Sequence, residues 1–399
     1  MAAVILGACR TPIGSFGGAL KDVGVADLGA IAVREALIRA RCAPSDLGDV
    51  VLGCVLQGGQ GMNVARQAAI NAGVSHHVPA MTINRVCGSG LQAVVTASQA
   101  IAAGDYAVAI AGGMESMSNA AYVLRGARWG YRMGHAEVTD AMIHDGLTDA
   151  MHSCHMGVTA EEIASRYAIS RADQDVFAAV SQRRAVAAIA SGAFAAEIVP
   201  VVLPQKKGDP VVFAIDEYPR AGTTAEKLGG LRAAFRKDGS VTAGNASGIN
   251  DGAAALVVAS DEYAGRTGAP VLARIVSSSV AGVEPMVMGM GPVPASRKAL
   301  ARAGRRIDEI SRVEINEAFA VQALAVMREL DLDPASTNVN GGAIALGHPL
   351  GCSGARILTT LLYELKRCAE QRAEHALLGL ASLCVGVGQG EATLVEWVG

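Results

Sequence analysis

Two stretches of this chain read as the same piece of architecture. GDVVLGCVLQ begins at residue 48 and SRVEINEAFA at residue 311, an offset of 263, while Ser89-Gly90 and Ser353-Gly354 stand 264 apart. The elements around them follow the same order. In the first half AVILGA reads as a strand, VADLGAIAVREALIRA as an amphipathic helix, and DVVLGCVL and AMTINRV as strands. SGLQAVVTASQAIAAG then reads as a helix and YAVAIAGG as a strand. In the second half VLARIVSSSV reads as a strand and PASRKALARAG as a helix. ISRVEINEAFA holds the next strand and the start of a helix, CSGARILTTLLYELKR is a helix, and HALLGLASLCVG is a strand. Short apolar strands alternating with helices point to a parallel-rich sheet covered on both faces. A repeated element order at one offset points to an internal duplication.

At 399 residues, the chain is too long for one ordinary core. The expected organisation is two similar α/β halves with mixed sheets packed in layers. One half comprises residues 1–117 and 251–270, and the other residues 271–399. Residues 118–250 have no counterpart in the repeat and read as an inserted loop domain, a common place for a binding arm. Apolar residues make up 51%, aromatics only 4%, and there are 47 glycines. That composition suits helices packed closely on sheets.

Net charge of −3 gives no electrostatic case for nucleic acid. Lys206, Lys207, Arg220, Lys227, Arg232, Arg236 and Lys237 form a locally basic stretch, read either as a solvated surface or as a site for a phosphorylated small molecule. The start, MAAVILGACRTP, lacks a basic segment before its apolar run and reads as a first strand. The most apolar stretch, AVVTASQAIAAGDYAVAIAGG, is interrupted by Asp105, so no membrane span is expected. Eight cysteines without a CxxC pair resemble no zinc motif and suggest free thiols in a reducing, cytoplasmic setting.

Four local patterns carry chemistry. Cys87 follows a strand and precedes Gly88-Ser89-Gly90, at or beside a helix N-terminus, where free N–H groups and the helix dipole favour thiolate. Taken alone it could equally be a small buried hydrophobe. His348, in NGGAIALGHPLGCSGAR, sits in the turn matching that of Cys87, so the duplication brings the two together at the axis between the halves. A histidine there could take the thiol's proton. Cys384, in ASLCVGVGQG, is either a second acid/base thiol or a disulfide partner for Cys87. Asn316, in EINEAFA, is either a turn residue or functional.

Taken in order, CGSGLQAV, AGGMESMS, DGLTDAMHSCHMG, NASGINDGAAAL, VMGMGPVPASRKAL, VEINEAFA, NGGAIALGHPLGCSGAR and CVGVGQGEA run over the whole chain. With them the sequence resembles the thiolase family, and within it the acetyl-CoA C-acetyltransferases. The resemblance implies a thiolase-like fold and reversible condensation of two acetyl-CoA to acetoacetyl-CoA and CoA. It implies that Cys87 becomes acylated, that His348 activates it, and that Cys384 moves the α-proton. Backbone N–H groups of Cys87 and Gly386 would hold one oxyanion; His348 and a water on Asn316 would hold the second. By the same match Ser247, Arg220, Leu147, His155, Met156, Ala243, Ala318 and Phe319 contact coenzyme A, and Met288 lies beside the acyl group. No metal or cofactor is implied, since the coenzyme A thioesters are substrates. A homotetramer with residues near 120–145 as contact loop is implied too. Rival readings are a broad-range 3-ketoacyl-CoA thiolase and a non-catalytic acyl-CoA-binding relative.

Two departures stand out. Val387 replaces a glycine in the family's Cys-x-Gly-Gly-Gly loop, and a β-branched residue there is costly if φ is positive. Cys352 replaces a small alanine.

Overall fold

The structure is a computed structural model and describes residues 2–372 and 376–399. Nine strands form the path of the main sheet: β1 (Ala3–Arg10), β2 (Asp49–Gly53), β3 (Ala80–Ile83), β4 (Val108–Ser116), β5 (Asn250–Ser260), β6 (Ala273–Gly282), β7 (Arg312–Ile315), β8 (Leu378–Val385) and β9 (Gln389–Trp397). Their order is β7-β8-β9-β6-β1-β5-β4-β2-β3. The duplication is visible in that order. In the first half β3 lies parallel beside β2, and in the second Thr337 bridges Val313 in parallel at the matching edge. The halves meet where β1 and β6 pair antiparallel through Val4↔Arg274 and Ile5↔Ala273.

The expectation of a parallel-rich sheet is corrected. Only β2–β3, β2–β4 and β7–β8 run parallel, while β1–β5, β4–β5, β1–β6, β6–β9 and β8–β9 run antiparallel. Apolar runs on both faces signal a sheet covered on both sides, and that covering does not require parallel pairing.

Alternation along the strands sorts side chains into layers. Val50 and Leu52 join an outer core with α1 (Val25–Ala40) and α2 (Val64–Asn71), whereas Val51 faces inward. In the second half Leu378, Leu380 and Leu394 face an outer core with α6 (Pro292–Ala303) and α7 (Ala320–Leu330). Ala381, Leu383 and Val395 face inward. The inner core belongs to two helices, α3 (Ser89–Ala103) and α8 (Leu350–Arg372), enclosed between the two halves of the sheet. By length and composition, 86–103 is apolar enough to cross a membrane. Here it folds as α3, whose apolarity is what two sheet faces require.

The matched glycines of the repeat lie where α3 and α8 cross. A Cβ on Gly90 would strike the Gly351 carbonyl and Ala355 amide, and one on Gly354 would strike the Leu91 amide. Backbone-to-backbone contact brings the N-termini of the two helices together. The turn at 84–88, before α3, and the turn at 347–349, before α8, therefore open on one place.

Residues 117–249 carry α4 (Met156–Arg166) and α5 (Arg171–Ala190), the latter opened by a capping box between Ser170 and Asp173. Their segment Ala246–Ser247 reaches back to the second half: Ala246 bridges Phe319, and the Ser247 N–H donates to the Ala318 carbonyl at 3.0 Å.

Candidate active site

Cys87 sits two residues before α3 begins, at the end of a tightly stitched turn. The Gly88 N–H donates to the Arg85 carbonyl (2.9 Å), the Arg85 N–H to Ser89 Oγ (2.9 Å), and Ser89 Oγ to the Val86 carbonyl (2.7 Å). These bonds hold Val86 at φ 46, left-handed backbone that a β-branched residue seldom adopts. The consequence is that the Cys87 sulfur meets the Gly386 N–H of the opposite half as well as its own N–H. A side chain on Gly386 would press on Val86, so glycine lets the two loops close.

The thiol is not acidified, contrary to the expectation from the helix end. Part of the residue is accessible, but its surroundings are dense, and burial pushes the Cys87 thiol up to about 11 against the pull of the two N–H groups. Helix-end stabilisation is of order 1 kcal/mol and falls off within a turn, and Cys87 lies outside α3. Desolvation wins.

His348 is buried, 5% exposed. Its own N–H donates to Asn250 Oδ1 at 2.9 Å, which anchors the turn to the start of β5. Gly347, at φ 105, packs against that same Asn250, where a side chain would not fit. In the ring, Nδ1 lies 2.6 Å from Ser353 Oγ, and that hydroxyl donates its proton to the Pro349 carbonyl at 2.9 Å. Ser353 is therefore the acceptor, Nδ1 carries the hydrogen, and Nε2 is left with its lone pair. Burial first, and the positive Arg356 second, hold the imidazole down to about 3, so it is neutral at ordinary pH. A neutral imidazole with an available Nε2 can accept a proton.

Asn316 follows β7 and is fixed by its N–H to the Ser382 carbonyl (3.0 Å). Its Nδ2 lies 3.5 Å from both ring nitrogens of His348, at the limit of hydrogen bonding, and its buried Oδ1 has no protein partner among the described residues. Cys384 is the next-to-last residue of β8 and is buried; burial, and then the nearness of Cys87, push its thiol up. Both cysteines are free thiols, so the disulfide alternative is not what the structure contains. Beyond Cys384 the loop turns through Val387 at φ 60 and Gly388 at φ 83.

A cavity of about 690 Å³ opens beside these groups. Leu147, His155, Met156, Arg220, Ala243, Ser247, Phe319 and His348 all line it. Ala318 and Met288 do not, although Ala318 holds Ser247 and Met288 is buried in the apolar cluster of Met156, Phe319 and Cys384. Cys87, Asn316, Cys384 and Gly386 are also absent from its lining. Cys87 packs in the cluster of Leu350, which lines the cavity.

The family model described as thiolase, N-terminal domain matches residues 3–262, and thiolase, C-terminal domain matches residues 269–397. The chain belongs to the thiolase family. The acetyl-CoA acetyltransferase of Thiocystis violacea is 55% identical over 393 residues, covering 98% of each chain, and that of Pseudomonas aeruginosa is 54% identical over 389 residues with the same coverage. Among solved structures, the Bacillus anthracis acetyl-CoA acetyltransferase superposes with a TM-score of 0.96 at 48% identity, covering 100% of this chain and 99% of that one. Human mitochondrial 3-ketoacyl-CoA thiolase does so with a TM-score of 0.94 at 42% identity, with the same coverage.

Several residues shaping the site of this thiolase were not foreseen from sequence. Ser353 and Asn250 orient His348. Phe235 stacks on His155 (ring centroids 4.7 Å apart) and meets Phe319 edge-on at 6.3 Å, building an aromatic wall of the cavity. Gly157 leaves the room that Phe235 fills. Glu115, buried beneath the site, accepts the N–H groups of Val55, Leu56 and Gly351 at 2.8–3.0 Å. It ties the loop after β2 to the start of α8. Glu115, Gly157, Asn250 and Ser353 lie within AGGMESMS, DGLTDAMHSCHMG, NASGINDGAAAL and NGGAIALGHPLGCSGAR, which were the available signal; Phe235 had none.

Proposed function

We propose that this thiolase is an acetyl-CoA C-acetyltransferase that works through acetyl-Cys87. The Cys87 sulfur attacks the thioester carbonyl as its proton passes to His348. The bond to coenzyme A breaks, and the departing sulfur takes the Cys384 proton to leave as CoA, which leaves Cys384 as the thiolate. Thiol-for-thiol exchange is nearly isoenergetic, which makes an acyl-cysteine a natural carrier. Cys384 then removes an α-proton from a second acetyl-CoA. The new carbanion attacks the acetyl-Cys87 carbonyl, the carbon–sulfur bond breaks, and acetoacetyl-CoA leaves as His348 returns its proton to the Cys87 sulfur.

The observation that supports this best is the Gly386 N–H meeting the Cys87 sulfur across the junction of the halves, with Cys384 beside it. A pair of N–H groups so aimed suits the oxyanion of the acyl-transfer step, and losing one such donor typically costs about 3 kcal/mol. For the second thioester, His348 Nε2, once it carries the proton taken from Cys87, and a water fixed by the unpartnered Asn316 Oδ1 supply the donors. Because both thiols rest protonated, each must lose its proton to a base during turnover, and His348 Nε2 is that base for Cys87.

Coenzyme A would reach the site through the 690 Å³ cavity. Its apolar wall suits the pantetheine arm, and Ser247 and Arg220 supply polar contacts. A homotetramer accords with the exposed apolar residues Tyr122, Trp129, Tyr131 and Met133 on the loop at 120–145, and a cytoplasmic setting with the free thiols among the described residues. Thiolysis rates of acetoacetyl-CoA and of a C8 3-ketoacyl-CoA test the reading. Acetoacetyl-CoA should be the better substrate by at least tenfold in kcat/KM, and equal rates would favour a broad-range 3-ketoacyl-CoA thiolase.

A further inference from the structure

Arg10, at the end of β1, is fully buried and far in sequence from the two carboxylates it holds. Its Nε donates to Glu197 Oε1 (2.6 Å), and Nη1 and Nη2 donate to the two oxygens of Asp216 (2.7 and 2.9 Å). Its guanidinium lies 5.0 Å from the Phe194 ring centre. Burying such a pair is a poor way to gain stability, because desolvation offsets the attraction. Its bidentate geometry does fix position.

What it positions is a strap. Asp216 also accepts the Ile13 N–H at 2.7 Å, and the next residue, Glu217, accepts the N–H groups of Ser15 (2.6 Å) and Ala19 (3.1 Å). Two segments 200 residues apart are thus laid side by side from one buried anchor. The strap continues to Tyr218, whose ring lies where Gly248 has no side chain, and to Arg220, whose guanidinium sits 5.5 Å from the Tyr218 ring centre. The Arg220 N–H is pinned to Gln182 Oε1 at 2.7 Å. Phe16, Glu217, Tyr218 and Arg220 line the cavity, and an adjoining hollow of about 320 Å³ shares Tyr218 and Arg220 and adds Lys227.

We infer that Arg10 is a positioning residue for recognition of the substrate's nucleotide end. Through Asp216 it holds the strap and the 13–19 turn as two lips that present Phe16, Tyr218 and Arg220 together. Aromatic faces and cations match a nucleotide's base and phosphates. The pantetheine arm offers neither, so the lips act on the carrier and not on the reacting atoms. This rests on the proposal that coenzyme A thioesters are the substrates.

The test compares acetyl-CoA with S-acetylpantetheine, which lacks the nucleotide, for Arg10→Lys, Asp216→Asn and the exposed-site variant Glu217→Ala. Glu217→Ala keeps the test open should the buried variants fail to fold. For folded variants, KM for acetyl-CoA should rise about tenfold for the first two and threefold for the third, with kcat within twofold of wild type. The kcat/KM for S-acetylpantetheine should stay within twofold. An unchanged KM for acetyl-CoA, or an equal loss with both thioesters, would overturn the inference while wild type remains active. A wild-type protein that turns over neither thioester would instead overturn the proposed activity.

Discussion

On the proposed mechanism, Cys87 is a nucleophile kept protonated until a substrate arrives. With the thiol pushed up to about 11, its thiolate is scarce at pH 7 and increases about tenfold per pH unit until that value is approached. Alkylation of Cys87 by iodoacetamide, followed by peptide mass, should therefore accelerate steadily from pH 7 to 9.5. A plateau near pH 7 would mean that an ion pair with His348 already exists in the free enzyme. A second residue-scale consequence concerns Val387. Left-handed backbone at a β-branched residue costs on the order of 1–3 kcal/mol, and glycine recovers this less about 0.5–1 kcal/mol of unfolded-chain entropy. Val387→Gly should raise stability by about 1 kcal/mol in chemical denaturation, and a loss of stability would show that the valine side chain supports the loop. The positive φ at Val387 depended on the pairing of β8 with β9 around it. The sequence supplied the suspicion, through the departure from the family's glycines, and the sheet supplied the conformation.

At the scale of elements, the crossing of α3 with α8 governs the site, because it fixes where the Cys87 and His348 turns open. Gly354→Val places a branched side chain against the Leu91 backbone and should cost about 3 kcal/mol or more, with loss of activity in the folded fraction. Gly265→Ala is the control: no atom lies within 4 Å of a Cβ there, so a helical alanine should be neutral or stabilising by up to about 1 kcal/mol. Equal thermal unfolding of the two variants would contradict the role of the crossing. The strands and helices here were legible because their apolar periodicity is local. So was the pairing of the Ser-Gly landmarks, because the duplication repeats them. Strand direction was not legible, since β9 follows β8 through a tight turn that forces antiparallel pairing, and an apolar run looks the same either way.

For the whole molecule, the site exists only where the two halves meet. The first half brings Cys87, and the second brings His348, Asn316, Cys384 and Gly386. Sequence reading named these five through a joint family resemblance, since no single local pattern separated filler from function. It could not name Ser353 as the partner of Nδ1, Asn250 as the anchor of the His348 turn, or Arg10 as the clamp on Asp216. Those bonds join residues 98 to 206 positions apart, apart from the local Ser353 contact, and they arise from packing. Stability and chemistry are therefore coupled across the junction, and the acyl-enzyme tests the coupling as a whole. Incubation with acetyl-CoA labelled in the acetyl group, followed by peptide mapping, is the most direct measurement. The account predicts one acetyl group per chain on the Cys87 peptide with release of CoA. Absence of label, or label on the Cys384 peptide instead, would contradict it.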